Sequence, residues 1–248
     1  MDMPELKKTA LVTGAGRRLG REISLALARA GYDIMINYLQ SEGAAQKTAG
    51  EIRNLGRKSM IYGADVSNSD QVHGMVKKTL DTFGSIDVLV NNAAIFSQIP
   101  FEKLSEEVWD KTMDTNLKGT FLCSREIGEH MAHRRSGSIV NIASLGGIRP
   151  WASETPYCVS KAGVIMLTQC FAKGLAPYVR VNAIAPGYVE MPDLIIEKIV
   201  PPPPLSKIPL KRYGRPEEVA ELVVYLATKA EYITGQIIFV DGGSALST

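Results

Sequence analysis

The feature of this sequence that most restricts its fold is an alternation. Short apolar runs of strand type are followed by longer segments with helical period. "TALVT" (9–13) reads as a strand, and "LGREISLALARAG" (19–31) as a helix that stops at a glycine. "DIMIN" (33–37) and "EGAAQKTAGEIRNLG" (42–56) repeat the pair, as do "SMIYG" (59–63) and "DQVHGMVKKTLDTFG" (70–84). "IDVLVNNA" (86–93) and "GSIVNIAS" (137–144) are further strands. "PYCVSKAGVIMLTQCFAKGLA" (156–176) is a long helix and "VRVNAIAPG" (179–187) a strand. "PEEVAELVVYLA" (216–227) is a helix with proline in its first turn, and "QIIFVDGG" (236–243) is the last strand. Seven strands alternating with helices predict an α/β fold: a doubly wound parallel sheet covered on both faces. The 248 residues suit a single domain spanning 1–248, with no repeat or linker.

Charge and cysteine usage exclude several functions. The net charge is +2, and Lys and Arg are scattered, which leaves no footprint for nucleic acid or a membrane surface. Cys123, Cys158 and Cys170 are odd in number and lack CxxC spacing, so neither a disulfide framework nor a zinc site is expected. His73, His130 and His133 stand among polar residues, where surface positions are expected and no metal set forms. The N-terminus reaches its first strand without an apolar signal segment, and no apolar run approaches the ~20 residues of a membrane span. A cytoplasmic protein is the expectation.

After the first strand comes "TGAGRRLG" (13–20). A glycine-rich turn between a strand and a helix brings backbone N–H groups and a helix N-terminus up to a pyrophosphate, where a Cβ would block the approach. The second strand ends "INYLQS", with Asn37 and Ser41 and no carboxylate before Glu42. An acidic residue at that place holds the ribose 2′-OH of NAD. Without one, a 2′-phosphate meets no repulsion, and Arg17, Arg18, Asn37 and Ser41 are placed to bind it. NADP(H) is therefore expected over NAD(H); the alternative is that the arginines are a solvated helix start.

Tyr157 and Lys161, in "YCVSK", are four apart on the long helix and share a face. A hydride added to a carbonyl leaves an alkoxide that needs a proton. A phenol of ordinary pKa, near ~10, exchanges one poorly at neutral pH, and an adjacent ammonium lowers that value. Alone, the spacing is also that of many solvated helix faces.

Together these stretches resemble the short-chain dehydrogenase/reductase family, from about residue 7 to "DGG" (241–243). The resemblance implies a Rossmann-like fold. The family's turn is TGxxxGxG; Thr13, Gly14 and Gly20 match, while Arg18 stands at its middle glycine. It implies that Gly14, Leu19 and Gly20 face the cofactor phosphates. Asp65 and Val66 of "ADV" would hold the adenine, and Asn92 and Ala93 of "NNAA" would line the cleft. Pro186, Gly187 and Val189 of "PGYVEM" would lie beside the nicotinamide. Ala94 and Met191 stand where the family has glycine and threonine. Ser144 holds the substrate oxygen in the family, Tyr157 is its acid/base, Lys161 supports the phenol and the ribose, and Asn116 supports a water relay to the lysine.

Within the family the overall pattern resembles the 3-oxoacyl-ACP reductases, with Arg135 at the place of a basic residue that meets the acidic carrier protein. "RRLG" and "LAPYVRVNAIAPG" resemble the pteridine-reductase-like branch, although Ser144 stands where protozoan members have aspartate. A non-catalytic dinucleotide-binding regulator is the alternative from another class. A substrate loop is expected at about 188–212, with Leu194, Ile195, Ile196, Ile199, Val200 and Leu205 as an apolar wall or a subunit contact, and the prolines of 201–204 as a stiff segment. The resemblance also implies a homotetramer, or a dimer.

Overall fold

The computed structural model describes residues 8–191 and 203–246. Seven parallel strands form one sheet in the order β3-β2-β1-β4-β5-β6-β7. They are β1 (Thr9–Val12), β2 (Asp33–Tyr38), β3 (Ser59–Gly63), β4 (Val88–Asn91), β5 (Gly137–Ile142), β6 (Val179–Pro186) and β7 (Ile237–Val240). The helices are α1 (Arg18–Arg29), α2 (Glu42–Asn54), α3 (Ser69–Phe83), α4 (Glu106–Met113), α5 (Gly119–His133), α6 (Thr155–Leu175) and α7 (Pro216–Thr228).

Residues along each central strand alternate between two apolar layers. Ala10, Val12, Ile34, Ile36, Val88 and Val90 pack with α1, α2 and α7, while Leu11, Met35 and Leu89 pack with α3 and α5. Both faces are thus covered, which is why these strands read as continuous apolar runs. The order reverses between β1 and β4: the chain winds outward to β3, then returns to the other side of β1. A crevice outside the carboxyl ends of the strands forms at such a switch point, and the residues discussed below converge there.

Several boundaries differ from the sequence expectation. β4 ends at Asn91 because Asn92 leaves the ladder to clamp the first turn, its Nδ2 donating to the carbonyls of Thr13 and Gly14. β7 ends at Val240 because Asp241 accepts from the N–H groups of Gly243 and Ala245, while Gly242 and Gly243 take φ of 62° and 85°. α4 and α5, which the strand-led reading passed over, are joined by a π-helical turn at Asp114–Lys118. The expected loop residues Leu194, Ile195, Ile196, Ile199 and Val200, with Pro201 and Pro202, lie outside the described residues; Leu205 is exposed. No described helix is long and apolar enough to cross a membrane.

Candidate active site

The glycine turn is held from two directions. Gly14 N–H donates to Asn37 Oδ1 at 3.2 Å, and Ala15 N–H to the Asn37 carbonyl at 2.8 Å. The Thr13 hydroxyl oxygen accepts from the N–H groups of Asn92 and Ala93 at 3.0 Å. Two glycines are obligatory. Gly14 has φ +61° and lies so close to Ala93 that a Cβ would stand 2.9 Å from its Cα. At Gly20 a Cβ would stand 2.4 Å from the Gly14 carbonyl oxygen, so only glycine lets α1 start against the turn. Arg17 precedes α1 without a side-chain cap, which leaves the first N–H groups of that helix facing the crevice. A pyrophosphate fits this cradle: it presents N–H groups and glycine surfaces and no carboxylate. Leu19 is buried under the turn.

Asn37 is corrected by the structure. It is 2 % exposed, and its amide is consumed by Gly14 on one side and by the Ala64 carbonyl, 3.0 Å away, on the other. It shapes the turn from beneath and has no surface to offer a 2′-phosphate. Arg17 is exposed, Arg18 half-buried and Ser41 half-buried at the start of α2. Arg18 takes φ +54°, the left-handed region that explains glycine at this place in the family pattern.

Asp65 ties one carboxylate oxygen to the Ser67 N–H and hydroxyl, and Val66 is buried against Gly119 at the start of α5. Across the crevice, Pro186 ends β6, Gly187 N–H donates to the Val240 carbonyl, and Val189 bridges to Gly214. Met191 packs against the apolar core, so a side chain at this place serves packing here.

The catalytic candidates come together. Ser144 follows β5 and is 5 % exposed; its Oγ accepts from Gly146 N–H at 3.1 Å, and its hydroxyl lies near enough to the Tyr157 phenol to favour the ionised form. Lys161, one turn after Tyr157 on α6, is 3 % exposed and donates to the Ile142 carbonyl at 2.7 Å. Its Nζ lies 5.7 Å from the centre of the Tyr157 ring. Burial lowers the Lys161 ammonium to about 8, which leaves it charged at neutral pH. The Tyr157 phenol is raised by burial and partly brought back by the Ser144 hydroxyl. Lys161 does not figure among the causes of that shift; its ammonium is held by the Ile142 carbonyl. Asn116, fully buried in the π-helical turn, accepts from Ile95 N–H at 2.8 Å and donates to the Ile95 carbonyl and Ser160 Oγ. It fastens α5, α6 and the segment after β4, and its hydrogen bonds do not include Lys161.

Sequence reasoning missed two features. One is a buried chain that runs from Ser124 through Asn91 and Asn141 to Thr168 and locks β4 and β5 to α5 and α6. Polar residues at strand-interior positions were its only signal. The other is the aromatic setting of Tyr157: Phe96 meets its ring edge-on at 4.8 Å, and Trp151 lies parallel at 6.4 Å. Arg135 stacks over Tyr178, its guanidinium 4.5 Å from the ring centre, just before β5. It therefore sits at the end of β5 opposite Ser144. The cysteines are free thiols, and no cluster of metal-ligating side chains occurs among the described residues.

Comparison with known proteins matches this geometry. A family model described as "Enoyl-(Acyl carrier protein) reductase" matches residues 14–245. The 3-oxoacyl-[acyl-carrier-protein] reductase FabG of Staphylococcus epidermidis is 41% identical over 96% of this chain and 99% of its own length. The 3-oxoacyl-[acyl-carrier-protein] reductase of Synechocystis is 43% identical over 96% of this chain and 97% of its own. Among solved structures, acetoin dehydrogenase from Enterobacter cloacae superposes with a TM-score of 0.90 at 30% identity, covering 99% of this chain and 98% of that one. An NAD+-bound xylitol dehydrogenase superposes with a TM-score of 0.89 at 29% identity, covering 96% and 100%. With its switch-point crevice, glycine cradle and Ser144–Tyr157–Lys161 cluster, the chain belongs to the short-chain dehydrogenase/reductase family and is an oxidoreductase.

Proposed function

We propose that this chain reduces the carbonyl of a 3-oxoacyl thioester to the 3-hydroxyacyl product, with NADP(H) as cofactor. The observation that carries the reading is the meeting of the Ser144 hydroxyl, the Tyr157 phenol and the buried Lys161 ammonium beyond the carboxyl end of β5. Two neighbouring hydroxyl groups suit a carbonyl oxygen on its way to an alkoxide. Ser144 holds that oxygen, and the Tyr157 O–H delivers the proton as negative charge develops. Lys161, held by the Ile142 carbonyl, keeps its ammonium on this face of α6 for the nicotinamide ribose. Asn116 positions this group by fixing the segment from Ile95 against α6.

Bound NADPH supplies the hydride. Gly14, Leu19, Gly20 and the first N–H groups of α1 take its pyrophosphate. Arg17, Arg18 and Ser41 take the 2′-phosphate, and Asp65 and Val66 the adenine. Asn92, Ala93, Pro186, Gly187 and Val189 border the nicotinamide, with Tyr157 and Lys161 at its ribose. Asn37 supports this set from within the fold.

The acyl carrier protein is the proposed bearer of the thioester. Arg135 and Ser144 lie at opposite ends of β5, whose six residues span about 20 Å. A carrier domain docked on Arg135 would therefore serve the cleft of a neighbouring protomer. A cytoplasmic homotetramer provides such a neighbour. An apolar groove of about 520 Å³ lined by Met113, Leu117, Phe121, Met166 and Leu167 supports pairing through α4, α5 and α6. The reduced state of all three cysteines fits the cytoplasm.

The test is NADPH consumption by the purified protein with an acetoacetyl thioester, a diketone, a quinone and dihydrobiopterin. Turnover of the thioester ahead of the others is expected. Turnover of the pterin alone would replace this reading with a pteridine reductase, which an acid at position 144 would have favoured.

A further inference from the structure

The wall that closes over Tyr157 carries a carboxylate the proposed reaction does not use. Glu154 is the residue just before α6, three positions from Tyr157 in its first turn. It is 8 % exposed. Its Oε1 accepts from Gln98 Nε2 at 2.7 Å, and its other oxygen makes no hydrogen bond among the described residues. No cation lies within ion-pair distance of it among those residues. A carboxylate offers about four acceptor sites, so the oxygen that Gln98 does not hold is free to accept from a ligand.

The surroundings fix this group beside the tyrosine. Gln98 is two residues after Phe96, whose ring contacts Tyr157. The segment carrying both is fastened at each end: Ile95 to the Asn116 amide, and Ile99 N–H to the Ser153 carbonyl at 2.7 Å. Trp151 is held over Gly146, where a Cβ would stand 2.9 Å from its ring. The wall is therefore apolar aromatic surface, from Phe96 and Trp151, with one acceptor anchored in it. An acceptor that reaches solvent from an otherwise apolar wall discriminates once a ligand covers it, because a ligand without a matching donor then leaves it unpaired.

The geometry points to Glu154, positioned by Gln98, as a specificity-determining residue that accepts a hydrogen bond from an N–H or O–H group on the substrate close to the carbonyl being reduced. This rests on the carbonyl-reductase reading of Tyr157. Two sources supply such a donor: the amide of a thioester's arm, or a hydroxyl on the oxoacyl chain itself.

The experiment compares wild type with Glu154→Gln, which keeps the shape and the contact to Gln98 and weakens the acceptor. Three probes are used: the N-acetylcysteamine thioester of acetoacetate, which has an arm amide; ethyl 4-hydroxyacetoacetate, which has a chain hydroxyl; and ethyl acetoacetate, which has neither. We expect kcat/KM to fall about tenfold on a donor-bearing probe and to change less than about twofold on ethyl acetoacetate. Loss on the thioester alone assigns the arm amide, and loss on the hydroxy ester alone assigns the chain hydroxyl. Equal loss on all three would make Glu154 a structural prop, and no loss on any would make it a bystander; either overturns the proposal. Failure of wild type to reduce all three probes would sink the reductase reading instead. Quenching of Trp151 fluorescence by the thioester, in a Trp109→Phe background, would then decide the Glu154 question: weaker binding with Glu154→Gln supports it, and unchanged binding overturns it.

Discussion

The two walls of the crevice are built on different principles. On the cofactor side, the turn from Thr13 to Gly20 presents backbone: positive φ at Gly14, no Cβ at Gly20, and amides of Asn37 and Asn92 holding it from behind. On the substrate side, from Ser144 to Tyr157, the working surface is side chains: a hydroxyl, a phenol, two aromatic rings and a carboxylate brought together from three segments. A backbone site tolerates little variation in sequence because its geometry is the function. A side-chain site keeps its scaffold while the groups on it change, which is how one fold takes many substrates. The difference predicts that substitutions on the two sides fail in different ways.

The largest effect is expected at Tyr157. Tyr157→Phe removes the proton donor and leaves the ring to pack with Phe96 and Trp151. Turnover should fall by about 10²–10⁴-fold or more, with NADPH binding nearly unchanged. Stopped-flow or steady-state NADPH oxidation, paired with NADPH titration, checks both halves. Retained turnover would take the phenol out of its assigned role; lost NADPH binding would show that the two walls are not separable.

Next is Lys161, which belongs to both walls. Its folded pKa of about 8 lies below the ordinary value of 10.5. Between these values the unfolded chain binds the proton that the folded chain has released, so this lysine makes stability rise with pH through that window. Below pH 8 the folded protein carries the full burden of the buried charge, on the order of 3 kcal/mol. Cys123, pushed up to about 12 by burial, acts oppositely above its ordinary 9.0, and so does the raised Tyr157 above about 10. The Lys161 term is therefore clearest between pH 8 and 9. Lys161→Met should be more stable than wild type at pH 7 and lose that advantage as pH rises toward 10, while being inactive throughout. Chemical denaturation of both proteins from pH 7 to 10 measures the difference; a constant gap would mean that Lys161 is not desolvated in solution.

The same contrast explains what was legible in the sequence. Strand-helix alternation exposed the parallel sheet, because a strand buried on both faces must be apolar throughout. The glycine turn was legible because only one residue type fits a forbidden φ or an absent Cβ. Tyr157 and Lys161 were singled out by their spacing and Ser144 and Asn116 by the family resemblance; Ser144, Tyr157 and Lys161 lie together, and Asn116 is bonded to Ser160 on the same helix. Asn37 was misassigned because a polar residue at a strand end reads the same whether it faces solvent or caps a turn from below. Phe96, Gln98, Trp151 and Glu154 were invisible as a group: no local pattern says that residues some fifty positions apart will meet. α4 and α5 were passed over because α5 has Gly119 and Gly128 in it and buries residues on much of its circumference, which blurs a helical stripe.

The smallest effect tests where backbone ends and side chain begins on the cofactor wall. Arg18 is the one member of the turn that departs from the family pattern, and it holds φ +54°. The left-handed region costs a residue with a Cβ about 1 kcal/mol or more, which glycine avoids; glycine in turn loses more freedom on folding. Arg18→Gly should therefore leave stability unchanged or raise it by up to about 1 kcal/mol. The guanidinium is kept, on the reading above, for the 2′-phosphate. Its removal should weaken NADPH binding about tenfold and leave NADH binding as it was, bringing the two cofactors closer together. Titration of both reduced cofactors against wild type and variant, with a melting curve for each, gives the four numbers required. If both affinities fall together, Arg18 is setting the shape of the turn and belongs to the backbone side. If neither falls, the 2′-phosphate preference must be sought in Arg17 and Ser41. A selective loss of NADPH affinity with equal or greater stability would place one strained side chain, by itself, as the point where an otherwise backbone-built wall acquires its specificity.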